Sequence, residues 1–428
     1  MTQAITPTGI GASLSAVGEK TTRVTVIGLN YSPEPTGIAP YTAGLATGLA
    51  KIGFDVRAIT AFPHYPAWAI SDGYVGRTIR EVISGVKVTR VRPYIPARLN
   101  GVNRLLLEIG FGFRAAFGKW GRPDVVVLVS PALFATALIS IRAKLSPSRP
   151  SIVIWVQDLY SLGVTETGAL GAVGARVMAA FESVTLKRAD VVVAIHDRFK
   201  KYIASTLAVR AERVEVVRNW THLDPVQLER DRYRAKFGWG DETVVLHAGN
   251  MGAKQALENV VEAARLADQS NSSIRFVLLG NGNQRAAIVA HAAGVDRIDF
   301  MDSLGDEDFQ GAMAAADILL VNEKPGVAEM AVPSKLTSYF AAGRPVIAAT
   351  DLGSITADEI MSADAGVRVN AGDAEELLRA SIALGQNKVL ADSYGKNGAD
   401  FQKRVLSAES AISKYAEIIN SLAGKRSR

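Results

Sequence analysis

Cysteine is absent from the 428 residues. That excludes disulfides, thiolate-held zinc and thiol catalysis, and it suits a reducing compartment such as the cytoplasm. Histidine is scarce. His64, His196, His222, His247 and His291 are the whole set, and they form neither an H-x-x-H nor an H-E-x-x-H metal pattern. No stretch reaches the ~18 uninterrupted apolar residues of a membrane span. Residues 1–22 are small and polar. They lack the charged and apolar segments of a signal peptide, and they read as a disordered leader.

What is present is a globular composition, 48% hydrophobic and 21% charged, on a chain long enough for two or three domains. The net charge of +6 is uneven. Residues 98–122 hold Arg98, Arg104, Arg114, Lys119 and Arg122 against a single acid, Glu108, with Leu106, Phe113 and Phe117 among them. An apolar helix with basic flanks can lie in a membrane interface. It can equally be a core helix with solvated arginines. Nucleic acid is not expected, because no DNA- or RNA-binding motif accompanies the charge.

Short apolar runs alternate with helical segments, the grammar of parallel α/β sheets. "RVTVIGL", "FDVRAITA", "KVTRVRPY", "DVVVLVS", "SIVIWVQ", "DVVVAIH" and "VEVV" read as strands of a first half. "TVVLHAG", "IRFVLLG", "IDFMDS", "DILLVNE" and "PVIAAT" restart the pattern in a second. The polar stretch 219–242, broken by Pro225, Gly238 and Gly240, is the interdomain linker. The expected fold is α/β: two Rossmann-like domains, 23–218 and 219–400, facing a cleft, with a helix over 401–428 packing back towards the first. Ligands should lie beyond the strand C-termini.

The loops there are informative. In "SPEPTGIAPYT", Gly37 leads into a helix with free backbone N–H groups, which suit an anion or a closely packed sugar. "AGNMGAKQALENV" repeats the design, with Gly249 and Gly252 admitting a ligand to backbone and Lys254 adding a point charge. "VPSKLTSYFAAGRPVIAA" opens a helix through Pro333, Ser334 and Lys335. "GNGNQR" (280–285) lacks the third glycine of a dinucleotide fingerprint, and Thr60 stands where a ribose-binding acid would end the second strand. "DED" (306–308) has metal-site spacing but fits a helix cap better. Asp158 in "VQDLY" is either a helix cap or an acid aimed at the cleft. His64 in "FPHYP" suits contact with sugar or lipid, or else belongs to a proline-fixed loop.

Together "NYSPEPTGIAPYTAGLATGLAKIGFDVRAITAFPHYP", "WVQDLY", "HAGNMGAKQALENVVEAA", "VLLGNGNQR" and "VPSKLTSYFAAGRPVIAA" resemble the GT-B-fold retaining glycosyltransferases of the family 4 type. The likeness is to the bacterial branch that builds colanic-acid-like and other exopolysaccharides, and it runs from about Arg23 to Leu422. The resemblance implies transfer of a hexose-type sugar from a nucleotide diphosphate sugar, without a metal or other cofactor. The acceptor is a lipid-linked or other glycan, and the enzyme sits in the cytoplasm or on the inner face of the membrane. It implies donor contacts from Gly37, Gly249, Asn250, Gly252, Gly282, Arg285, Pro333, Ser334 and Lys335, and catalytic roles for Asp158, Lys254 and Glu329. Many members carry paired glutamates on the donor helix. The second falls on Ser338 and the first on Met330, beside Glu329. An arginine before the phosphate lysine is Asn250 here. Asn250 or Arg285 then stand as substitutes for those contacts. A GT-B-shaped epimerase and a non-catalytic subunit of a polysaccharide-synthesis complex are the alternative readings.

Overall fold

A computed structural model describes residues 21–34, 37–65, 67–96, 101–167, 171–220, 229–326 and 335–426. The leader up to residue 20, residues 221–228 of the expected linker (with His222), Glu329, Pro333 and Ser334 lie outside them, while Arg230–Phe237 of that linker form a helix.

The first half contains β1 (Arg23–Ile27), α1 (Ala39–Lys51), β2 (Asp55–Ala61), β3 (Thr78–Ile83), β4 (Val86–Val91), α2 (Gly101–Ala116) and β5 (Val125–Ser130). It continues through α3 (Leu133–Leu145), β6 (Ser151–Val156), α4 (Tyr160–Thr167), α5 (Gly171–Leu186), β7 (Val191–Ala194), α6 (Asp197–Ser205) and β8 (Val214–Val216). These strands form one sheet in the order β3-β4-β2-β1-β5-β6-β7-β8. All neighbours are parallel except β3, which pairs antiparallel with β4 at the edge. β5 and β6 are buried along their whole length, as parallel strands covered by helices on both faces must be. β3 alternates exposed and half-buried residues and contains "TIREV", so its edge position gives no continuous apolar signal.

The second half contains α7 (Arg230–Phe237), β9 (Thr243–Ala248), α8 (Glu258–Gln269), β10 (Ile274–Leu279), α9 (Arg285–His291), β11 (Ile298–Met301), α10 (Asp306–Ala315) and β12 (Ile318–Asn322). Then come α11 (Lys335–Ala341), β13 (Val346–Ala349), α12 (Ile355–Ala363), β14 (Gly366–Val369), α13 (Ala374–Gln386), α14 (Lys388–Val405) and α15 (Ala408–Arg426). Its sheet is parallel, in the order β11-β10-β9-β12-β13-β14. Both sheets are therefore Rossmann-like α/β layers, each with its own core.

Two elements of the second half join the first core. Tyr415, Ile419 and Leu422 of α15 pack there, with Tyr415 edge-on to Trp155 at 5.3 Å. So does Ile355, at the start of α12. The acidic run 306–308 corrects one expectation in detail. The cap of α10 is Gly305, with no side-chain bond, and the three acids occupy the first turn. There they complement the helix dipole while Glu307 accepts from the Tyr233 hydroxyl at 3.1 Å.

Candidate functional site

Beyond the C-terminal ends of β1, β2, β5 and β6 lies a cavity of about 450 Å³, lined by Asn30, Gly37, His64, Tyr65, Trp68, Arg104, Glu108 and Asp158 among others. That size suits a small ligand. Its walls are built from polar groups that hold one another. Glu34, buried, accepts from the backbone N–H groups of His64 (2.8 Å) and Tyr65 (2.9 Å) and from the Asn30 amide (2.9 Å). One carboxylate thus ties the loop after β1 to the loop after β2. Gly37 has φ +66°, and a Cβ there would lie 3.4 Å from the Tyr65 ring. Tyr65 and Trp68 meet edge-to-face at 5.6 Å, giving an aromatic wall of the kind sugar rings stack on.

The opposite wall is the "VQDLY" loop. Tyr160 and Ser161 begin α4, and their N–H groups go to Glu182 of α5 at 2.9 and 3.1 Å. Glu182, not Asp158, therefore satisfies the helix start. Asp158 accepts from the Leu159 N–H at 2.9 Å and lines the cavity. Crowding by protein raises its carboxyl above the usual range, while the Leu159 N–H, Arg104 and Lys254 pull it back. Lys254 belongs to the second half, so the two halves meet electrostatically at this carboxylate. Glu108 is buried and accepts from the Phe134 N–H (3.1 Å) and the Tyr160 hydroxyl. Arg104 lies 3.5 Å from Glu108 and over the Tyr160 ring. Desolvation raises the Glu108 carboxyl despite these partners.

Across from this wall, the loops after β9 and β10 are zipped together. The Gly249 N–H donates to Leu279 O (2.9 Å), Met251 N–H to Asn281 O (2.9 Å) and Gln284 N–H to Met251 O (3.0 Å). Gly280 and Gly282 serve this zipper. A Cβ on Gly280 would stand 2.1 Å from the Gly249 carbonyl oxygen, and one on Gly282 would stand 2.4 Å from that of Met251. Gly282 thus faces backbone of its own protein. Gly252 packs under Asn250 and Gln255, donating to the Gln255 side chain at 3.1 Å. Asn250 and Lys254 are exposed. Asn322, buried at the end of β12, donates to the carbonyls of Gln255 (2.7 Å) and Ala256 (3.0 Å) and accepts from Asn259 (2.9 Å). It positions the lysine loop, and only its place at a strand end marked it in the sequence.

Lys335 opens α11, and its ammonium lies 3.8 Å from where a Cβ on Gly249 would be. Burial lowers its pKa to about 8, against the supporting charge of Glu323. Beneath it sits His247, fully buried, with neither ring nitrogen in a well-formed hydrogen bond. Burial first and the Lys335 charge second push His247 well below its ordinary value, so it is neutral. Tyr339 fixes α11 to the sheet, accepting from the Ala248 N–H at 2.9 Å and donating to Leu320 O at 3.2 Å. Ser338 is half-buried beside it. Arg285 opens α9 and pairs with Asp302 at 2.8 Å. Among the described residues no group of three or more metal-ligating side chains converges, and no helix is long and apolar enough to cross a membrane.

The other sequence expectations land in specific places. His196, two residues past β7, caps α6 by accepting from the Arg198 N–H and pairs with Glu359 of α12 at 3.0 Å. His291 is on a helix surface, paired with Glu262 at 2.8 Å. His64 is buried, with Nδ1 2.8 Å from the Phe62 carbonyl. Glu34, Glu182 and Asn322 escaped the sequence reading because each acts on backbone brought near only by the fold.

Residues 36–220 match the family described as glycosyl transferase 4-like domain, and residues 242–387 match glycosyl transferases group 1. The chain is 32% identical to the Escherichia coli protein named as the colanic acid biosynthesis glycosyl transferase WcaI, over 78% of this chain and 85% of that one. It shares its fold with the sucrose-phosphate synthase of Thermosynechococcus elongatus (TM-score 0.70, 16% identity, 94% of this chain and 100% of that one). The same holds for Anabaena HepE in a complex with UDP (TM-score 0.64, 14% identity, 94% and 100%). The lipopolysaccharide glycosyltransferase WaaG also shares it (TM-score 0.62, 18% identity, 92% and 99%). The chain belongs to the GT-B glycosyltransferases of the family 4 type.

Proposed function

We propose that the enzyme moves a hexose-type sugar, with retained anomeric configuration, from a nucleotide diphosphate sugar to a lipid-linked glycan during exopolysaccharide synthesis. The 23–218 domain takes the acceptor, 219–400 takes the donor, and 401–428 braces the pair. The donor diphosphate lies over Gly249 and Gly252, between Lys254 and Lys335, with Gly37 approaching from the other side. Ser334 and Pro333 are donor contacts in the same reading. Glu329 reaches the donor sugar, and Asn250, Ser338 and Arg285 frame the nucleoside end. The acceptor sugar stacks on Tyr65 and Trp68, and Asp158 orients its hydroxyl. As the glycosidic phosphate bond breaks, charge builds on the leaving diphosphate. Backbone N–H groups and lysines already in place stabilise that charge without reorganisation. UDP-sugars are the first donors to consider, since the related fold of HepE is known with UDP and UDP-glucose.

Membrane contact belongs to the same reading. α2 buries Leu107, Phe111 and Ala115 and leaves Val102, Leu106, Phe113 and Phe117 exposed, next to Arg114, Lys119 and Arg122. Such a face seats the protein peripherally on anionic lipid at the inner membrane surface.

The observation that carries the proposal is the cavity in which Asp158 stands with Tyr65 and Trp68, with the charge of Lys254 from the other half acting on the same carboxylate. It is tested by incubating the enzyme with a panel of UDP- and GDP-sugars and lipid extracts, and following release of nucleoside diphosphate. Asp158→Asn should lower kcat roughly 10²-fold, the scale of a lost proton-handling group, and leave UDP affinity unchanged. Full activity in that variant would overturn the role of Asp158. A wild type inert with every donor would overturn the reaction.

A further inference from the structure

The two halves are joined beside the cleft by a chain of polar contacts. Next to Asp158, the amide of Gln157 exchanges two hydrogen bonds with the amide of Asn219, at 3.0 and 2.7 Å. Next to Asn219, the Arg218 guanidinium grips Glu359 of α12 at 2.7 Å, and His196 reaches the same carboxylate oxygen at 3.0 Å. Asp197 steadies Arg218 from its far side at 3.2 Å. One helical turn before Glu359, the Thr356 hydroxyl donates to Glu323 at 2.6 Å, and the Thr350 hydroxyl donates to the other oxygen of the same carboxylate. Glu323 supports the charge of Lys335. The links are hydrogen bonds, sequence neighbours, one turn of α12 and the charge of Glu323 acting on Lys335, and together they run from the acceptor carboxylate to the donor lysine.

The surroundings make this a joint rather than a surface pairing. Glu359 and His196 are each only 3% exposed at their side chains. Burial alone would raise the Glu359 carboxyl, but the His196 bond and the Arg218 charge outweigh it and hold it below the usual range. Ile355, at the start of the same helix, is packed in the first core. Arg198 clamps the outer face of α12 through Asp358 at 2.8 Å and the Gly353 carbonyl. A helix of the donor sheet is thus plugged into the acceptor half by its first turns.

Building on the proposed donor and acceptor sites, we infer that Glu359 is a positioning residue which sets the approach of Asp158 to the donor lysines. It does so through Arg218–Asn219–Gln157 on one side and Thr356–Glu323 on the other. A shift of about 1 Å between reacting groups costs roughly 10²-fold in rate, so a joint that defines this distance controls turnover without touching substrate.

The absence of native cysteine permits a direct test. Nitroxide labels are attached at Val82→Cys and Val389→Cys, exposed positions on opposite halves, and the distance between them is measured by pulsed electron resonance. The Glu359→Gln substitution removes the charge and keeps the shape. Thr356→Val removes only the hydroxyl and serves if the first variant melts early. The wild type should give one narrow distance, and Glu359→Gln a broadened or displaced one. The transfer kcat should fall about 10²-fold, with UDP affinity by calorimetry unchanged. Thr356→Val should shift both readouts the same way, less far. An unchanged distance with wild-type kcat overturns the inference. Parallel loss of UDP binding and kcat also overturns it, since that is what a plain folding defect gives. If the wild type turns over no sugar nucleotide, the reaction reading fails, while the distance measurement still decides the joint.

Discussion

The two walls of the cleft treat polar groups in opposite ways. On the acceptor side nearly every one is held by protein: Glu34 by two backbone N–H groups and Asn30, Glu182 by two N–H groups and Ser161, Glu108 by Tyr160, Phe134 and Arg104. On the donor side Lys335 keeps a charge that burial disfavours, and His247 lies beneath it with no well-formed hydrogen bond. One wall is finished before a substrate arrives. The other holds a buried charge and a poorly bonded ring with little from the protein to offset them. Charged side chains on the first wall should therefore stabilise the fold, and those on the second should stabilise the complex.

The strongest way to break that contrast is Glu182→Ala. It strands the N–H groups of Tyr160 and Ser161 at a helix start, where each unsatisfied group costs ~1–3 kcal/mol. The variant should lose about 3 kcal/mol of stability, read as an earlier thermal or urea transition. An unchanged midpoint would show that the acceptor wall does not depend on its internal bonding.

Lys335→Met should act with the opposite sign. The folded-state pKa of Lys335 is about 8 against an ordinary 10.5, so its charge opposes folding below pH 8. That penalty fades as pH rises from about 8 through 10.5. The ligand-free variant should melt no earlier than wild type at pH 7. Its UDP affinity should fall about tenfold or more, the scale of one charge-assisted contact. Wild-type affinity should itself weaken between pH 7 and pH 9 as the lysine deprotonates, and the variant should show no such slope. Calorimetry at both values decides it. A pH-independent wild type would remove Lys335 from the diphosphate.

Legibility in the sequence divides along the same line. The strands and the glycine loops were readable, because buried parallel strands are continuous apolar runs and the loop residues are adjacent in the chain. β3 was not, since an edge strand with alternating exposure resembles a polar loop. The family resemblance makes Gly282 a donor contact, whereas in the fold its missing Cβ makes room for the Met251 backbone. Asp158 is ambiguous in the sequence because the group that takes the helix N–H groups, Glu182, lies 24 residues on. The same holds for His196, whose partner Glu359 lies in the other half. Local motifs announce themselves. Groups that act on distant backbone carry no signal until the chain is folded.

The smallest expected effect concerns the outer surfaces, where the halves differ again. On the acceptor half, Phe113 and Phe117 stack at 6.5 Å on the exposed face of α2, and Phe117 is 84% exposed. Neither ring contributes to the buried face of that helix, which is Leu107, Phe111, Ala115 and their neighbours. Replacing both by serine should therefore leave stability within about 0.5 kcal/mol, and transfer to a water-soluble acceptor unchanged. Binding to vesicles containing anionic lipid should fall several-fold, because burial of apolar area and attraction of Arg114, Lys119 and Arg122 to headgroups act together. Raising salt should weaken what remains, since only the electrostatic part is left and it is screened within about 10 Å at 0.1 M. Vesicle binding that survives both the double substitution and high salt would place the lipid contact elsewhere on the molecule.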